Sequence, residues 1–82
     1  MATTAQAKIY ERINLALRDA PRNRYTAELH LQMIKYADEL KNITAKEFCD
    51  ELGIAASYVA EFSKMRNLTE RLKAAGLNVS ML

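Results

Sequence analysis

The stretch TAKEFCDELGIAASYVAEF, residues 44–62, decides how this chain folds. It is dense with helix formers, yet Gly53 sits in its middle. Thr44 and Glu47 stand in the capping-box relation, a hydroxyl at the N-cap and a carboxylate three residues in. Ile43 and Phe48 flank that cap at the spacing of a hydrophobic staple. Two independent signals therefore predict one start point, and the helix is expected over 45–52. Gly53 then supplies a left-handed backbone that costs other L-residues about 1–2 kcal/mol. A second helix is expected over 56–65. The stretch reads as a bent pair of helices, not as one rod.

Two short helices joined by a tight turn touch near that turn. The side chains there must be small on one side and apolar on the other. Counted from Ala45, the fifth position is Cys49, small enough for a close crossing, and the ninth is Gly53. Phe48, Leu52, Ile54, Val59 and Phe62 occupy the fourth, eighth, tenth, fifteenth and eighteenth positions. All are apolar and can share one small core.

This pattern closely resembles the helix-turn-helix of bacterial and phage repressors, over about a quarter of the chain. The flanking sequence is similar to small plasmid-borne repressors of the KorC type. The resemblance implies that the second helix lies in the major groove of double-stranded DNA, its first residues at base edges. Ala55, Ala56, Ser57, Tyr58, Ala60 and Glu61 would then face the bases. Ser57 can donate or accept, alanine methyls can touch a thymine methyl, and Glu61 can accept from cytosine N4. Lys64, Arg66, Lys46, Arg22 and Arg24 would hold backbone phosphates. Two departures stand out. Ala55-Ala56 lacks the usual serine or threonine cap, and the expected helix contains no Arg, Gln or Asn. Base reading would be thin, with DNA shape contributing more.

Outside the motif, Ile9, Ile13, Ala16, Leu17 and Ala20 recur at three- and four-residue spacing, the face of a helix over 5–19. Thr3 with Gln6 makes a capping box at its start, and Pro21 ends it. Residues 22–25, RNRY, read as a basic loop. Thr26 is expected to cap a helix over 27–41, which is apolar on several sides from Ala27 to Leu40. In so short a chain, part of that covering is expected from a second copy. Asn67 and Glu70 suggest a further capping box opening a helix over 68–75. Gly76 ends it, with Leu77 placed for a Schellman contact onto Leu72. The tail, 77–82, is open between a strand, an arm and a frayed end.

The 82 residues are half apolar and 27% charged, with two glycines and one proline, a balance typical of a helical globular domain. Net charge is +2, so charge alone does not announce a nucleic-acid binder. One cysteine and one histidine exclude an internal disulfide and offer little for a zinc site. No apolar run is long enough to cross a bilayer, and a reducing cytoplasm is the expected location. Nothing places a nucleophile beside a base, and no glycine-rich phosphate loop is present, so no enzyme, cofactor or metal is expected. Cys49 and the Leu29–Leu40 stripe read as core, and His30 as a surface or core-edge residue. Arg22 and Arg24 can equally be solvated or paired with Asp19, and Glu61 can pair with Lys64 three residues on.

The expectation is thus a single all-α domain of five helices. Residues 1–41 hold the N-terminal helices and a dimerisation face, 44–65 the helix-turn-helix, and 67–76 the last helix. The expected function is a DNA-binding transcriptional regulator, a repressor acting as a homodimer on a palindromic operator, without an evident small-molecule effector. The alternative is a helical protein-interaction module, an anti-repressor or assembly factor, that keeps the bend without touching DNA.

Overall fold

The computed structural model describes residues 4–82. Helix α1 spans Thr4–Asp19, α2 Tyr25–Lys35, α3 Ala45–Leu52 and α4 Tyr58–Ala74. Short 3-10 turns at Arg22–Arg24 and Val79–Met81 complete the order, and the described residues contain no strand. The described residues are all-α as expected, but they form four α-helices, not five.

The lost break is at 66–67. The residues of the expected last two helices form one continuous helix, α4. Asn67 with Glu70 has the look of a cap, but capping competes with simply continuing the backbone ladder. No glycine or proline stands at 66–67 to interrupt that ladder. Thr69, buried within α4, donates its hydroxyl to the Met65 carbonyl at 2.7 Å, so even this β-branched polar residue is satisfied inside the helix.

Helix α2 also differs from expectation. It starts at Tyr25, so Thr26 is a helical residue and not a cap, and Arg24 before it makes no side-chain cap bond. The 3-10 turn Arg22–Arg24 leads straight into it, with the Arg24 N–H bonded to the Pro21 carbonyl at 2.8 Å. The α-helix stops at Lys35, and residues 36–42 continue as turns. Tyr36, Ala37, Leu40 and Ile43 are nonetheless buried. Leaving the helix lets the last two reach the interior along a different path. The expected cap Thr3 lies outside the described residues.

The core is a single cluster. Helix α1 contributes Ile9, Tyr10, Ile13 and Leu17, and α2 contributes Leu29 and Met33. Helix α3 adds Phe48, Cys49 and Leu52, and α4 adds Phe62. Phe48 is the hub. Its ring stacks on Phe62 at 4.2 Å between centroids and meets Tyr10 at a tilt, 6.1 Å away. Aromatic pairs of this kind add about 0.5–1.5 kcal/mol beyond the area they bury.

Helices α2 and α4 run side by side in the same direction. Tyr25 meets Tyr58 at their beginnings, and Lys73 on α4 bonds Asp38, just past the end of α2, at 2.6 Å. The tail also packs on α2, as a 3-10 turn and not a strand. Asn78 caps that turn, accepting from the Ser80 N–H at 3.1 Å. The covering of α2 expected from a second copy comes largely from α1, α4 and this tail.

Candidate nucleic-acid interface

The bend between α3 and α4 forms as its residues dictate. Thr44 is extended, and its hydroxyl accepts from the Glu47 N–H at 3.1 Å. Ile43 and Phe48 of the staple are both buried. At the other end Gly53 takes φ 69° and ψ 30°, the left-handed conformation. Its N–H bonds the Asp50 carbonyl at 3.2 Å, and the Ile54 N–H bonds the Cys49 carbonyl at 3.1 Å. That pair of bonds is a Schellman turn, which satisfies carbonyls the helix end would otherwise leave open. Gly76 repeats the motif at the end of α4, with φ 107° and the Leu77 N–H on the Leu72 carbonyl at 2.9 Å.

Cys49 lies beneath the turn, 2% exposed, where its small thiol lets the helices approach. Burial, and then the Asp50 carboxylate, push its pKa upward, so it stays a protonated core residue. Ile54 and Val59 are half-buried against the core from the other side of the bend.

Ala55, Ala56 and Ser57 are exposed at the start of α4. Ser57 occupies the N-cap position but makes no side-chain cap bond. Its backbone is already helical, φ −60° and ψ −21°, whereas a capping serine is normally extended. Successive turns carry the chain into the helix instead, Tyr58 N–H to Ala55 and Val59 N–H to Ala56, both 3.1 Å. The Ser57 hydroxyl is therefore not committed to a cap.

Ser57, Ala60, Glu61 and Lys64 share one face of α4 by their three- and four-residue spacing. All but Glu61 are exposed. The Glu61 carboxylate is half-buried between His30 Nε2 at 3.3 Å and Lys64 Nζ at 3.9 Å. The histidine contact is close but not aligned as a hydrogen bond. Tyr58 turns inward, half-buried, its ring tilted against Tyr25 with 6.4 Å between centroids. Arg22 and Arg24 are exposed on the 3-10 turn that leads into α2, three residues and one residue before Tyr25 of that pair. No ion pair to Asp19 holds either arginine among the described residues. Lys46 is exposed in the first turn of α3 and bonds Asp50 at 2.8 Å.

Arg66 does not join this surface. Its Nη2 donates to the carbonyls of Leu40 at 3.0 Å and Ile43 at 2.6 Å. Its guanidinium carbon lies 4.4 Å from the Phe62 ring centroid. The residue expected at a phosphate is a tie between α4 and the segment leading into α3. Reading the helix as broken at 66–67 hid this role. The same reading hid Arg71, exposed seven residues beyond Lys64 and so on the same face of one continuous helix. The spacing Ser57–Lys64–Arg71 is the signal, legible once the helix is known not to break.

Among the described residues no helix is long and apolar enough to cross a membrane. No group of three or more His, Cys, Asp or Glu side chains gathers to hold a metal there. A family model described as HTH-like domain matches residues 5–75. No curated protein and no solved structure matches the chain. The match spans all four helices, the bent pair included, and the chain belongs to the HTH-like domain family.

Proposed function

We propose that this protein is a DNA-binding transcriptional regulator, a repressor that holds a palindromic operator as a cytoplasmic homodimer. The observation that carries the reading is the α3–Gly53–α4 bend, which leaves the first two turns of α4 exposed on one face. Ser57 and the methyls of Ala55, Ala56 and Ala60 would meet base edges. Lys64, Arg71, Arg22 and Arg24 would meet phosphates around them, with Lys46 exchanging Asp50 for a phosphate. Tyr58 supports the helix from behind, and Arg66 positions it. With so few hydrogen-bonding groups at the bases, groove shape and flexibility carry part of the specificity. The likeness to KorC-type plasmid repressors supports repression by occupying a promoter.

A second reading has one observation in its favour. Glu61 places a carboxylate at the edge of the face that would meet DNA, held there by His30 and Lys64. Such a face also suits a protein partner, as in an anti-repressor or assembly factor.

Selection from a random duplex library tests the two. Enrichment of an inverted repeat with half-sites about one helical turn apart supports the DNA reading. Recovery of no sequence, together with affinity for duplex DNA that does not depend on salt, would transfer the face to a protein partner.

A further inference from the structure

The outer face of α1 leaves charged and apolar side chains exposed together. Ala7, Glu11, Asn14, Leu15 and Arg18 form one exposed stripe along the helix. Leu15 is 43% exposed, among the larger apolar side chains left at the surface. Glu11 and Arg18 have no ion-pair partner among the described residues. The stripe, with Tyr10 and with Glu51 of α3, lines an open groove of about 730 Å³. Along the stripe Glu11 carries the acidic charge and Arg18, seven residues on, the basic one, and Glu51 lines the same groove. The buried Tyr10 hydroxyl has no hydrogen-bond partner among the described residues.

We propose that this groove is a self-association surface, in which α1 pairs antiparallel with α1 of a second copy about a two-fold axis between Asn14 and Leu15. The charge order makes the face self-complementary. Glu11 lies as far before that axis as Arg18 lies beyond it, two helical turns apart along one stripe. Inverting a second helix on the first puts Arg18 of each copy over Glu11 of the other. Leu15 of each copy comes to the axis, beside the other's Asn14, and leaves water. A parallel alignment would instead oppose glutamate to glutamate and arginine to arginine. An isologous contact of this kind repeats every interaction twice.

The position suits the homodimer of the proposed function, on which its biological use rests. Helix α1 packs on α2 and α3 and has no substantial contact with α4. Pairing through α1 therefore leaves both candidate reading faces uncovered. The contact is short, at the low end of interface size, so association is expected to be weak and reversible.

Sedimentation equilibrium without DNA, up to millimolar protein, tests the surface. The wild-type chain is expected to form dimers and nothing larger. Glu11→Arg or Arg18→Glu should each weaken the dimer about tenfold or more, because each sets two like-charge contacts at the interface. The double variant, Glu11→Arg with Arg18→Glu, should associate more tightly than either single one, since the pairs are restored in reverse. A monomer at every concentration, or a double variant no better than the singles, overturns the proposal. Both substituted positions are exposed, and equal melting curves confirm that the fold is intact. DNA affinity of the same proteins is read separately. A dimer that ignores DNA would count against the regulator reading alone, and a monomer that binds DNA against this surface alone.

Discussion

Arg66, in the middle of α4, donates from Nη2 to the main-chain carbonyl of Ile43 at 2.6 Å, and from the same nitrogen to Leu40 at 3.0 Å. This joins α4 to the residue that precedes the cap of α3. Both carbonyls sit where the chain has left α2 and not yet begun α3. The guanidinium covers the Phe62 ring at the same time, so one side chain meets both polar and apolar needs.

Arg66→Ala should therefore behave as a folding mutation. Two half-buried carbonyls would lose a charged donor, at a cost of about 2–3 kcal/mol in urea unfolding. Arg66→Lys should recover less than half of that, because an ammonium cannot both reach the carbonyls and lie flat on the ring. The Arg66→Lys protein should keep the wild-type salt slope of DNA binding. A slope shallower by one would return Arg66 to the phosphates.

Gly53 isolates a backbone effect. A Cβ placed there meets nothing within 4 Å, so steric crowding plays no part, while φ is +69°. Gly53→Ala should destabilise the domain by about 1 kcal/mol, the cost of the left-handed conformation alone. A semisynthetic protein with D-alanine at 53 should be no less stable than wild type, since its favoured region matches this φ. Equal losses from both enantiomers would mean that side-chain contact, not φ, sets the requirement.

Lys64 tests the phosphate role directly. Its pairing with Glu61 is loose, 3.9 Å on an exposed face, and an exposed pair of this kind adds little stability. Lys64→Ala should leave melting nearly unchanged, weaken binding to all DNA sequences, and flatten the log–log salt slope by about 0.9. Arg71→Ala should do the same if α4 lies along the groove for its full length. Ser57→Ala, by contrast, should alter operator preference and leave the slope alone.

The titrating groups predict an alkaline limit to stability. Burial raises the pKa of Cys49 above its ordinary 9.0, and burial raises Tyr10 and Tyr25 above 10.0, with Glu51 and Glu47 adding to the first and Tyr58 to the second. Each group holds its proton more firmly folded than unfolded. Its contribution is complete below the ordinary value and is lost as pH rises through the folded one. Stability should fall from about pH 9 upward. Cys49→Ala should remove the earliest part of that fall. The thiol should also react slowly with a disulfide reagent until the chain unfolds.

Local chemistry alone made the bent pair legible. A hydroxyl, a carboxylate and two apolar residues at fixed spacing define the start of α3, and a hydrogen-only side chain defines its end. These signals act over a few residues, so neighbours in sequence are all they require. The same holds for Gly76 and the close of α4, and for the inward stripe of α1. Where a local signal stood alone, it failed. Asn67 and Glu70 imitate a cap, but a ladder already running from Tyr58 through buried Phe62 and Thr69 has no reason to stop there.

Arg66 and Tyr58 show what only tertiary structure decided. Both belong to residue types that suit phosphate contact, and both sit at helix positions next to exposed ones. Their fate depended on what lay across from them: two main-chain carbonyls 23 and 26 residues earlier for Arg66, and a second tyrosine ring for Tyr58. The point at which α2 gives way to turns is of the same kind: no glycine or proline marks it, yet Leu40 and Ile43 beyond it are buried. Spacing along a chain encodes which face a helix turns inward. It does not encode which distant group will meet that face, because that depends on how whole helices settle against one another.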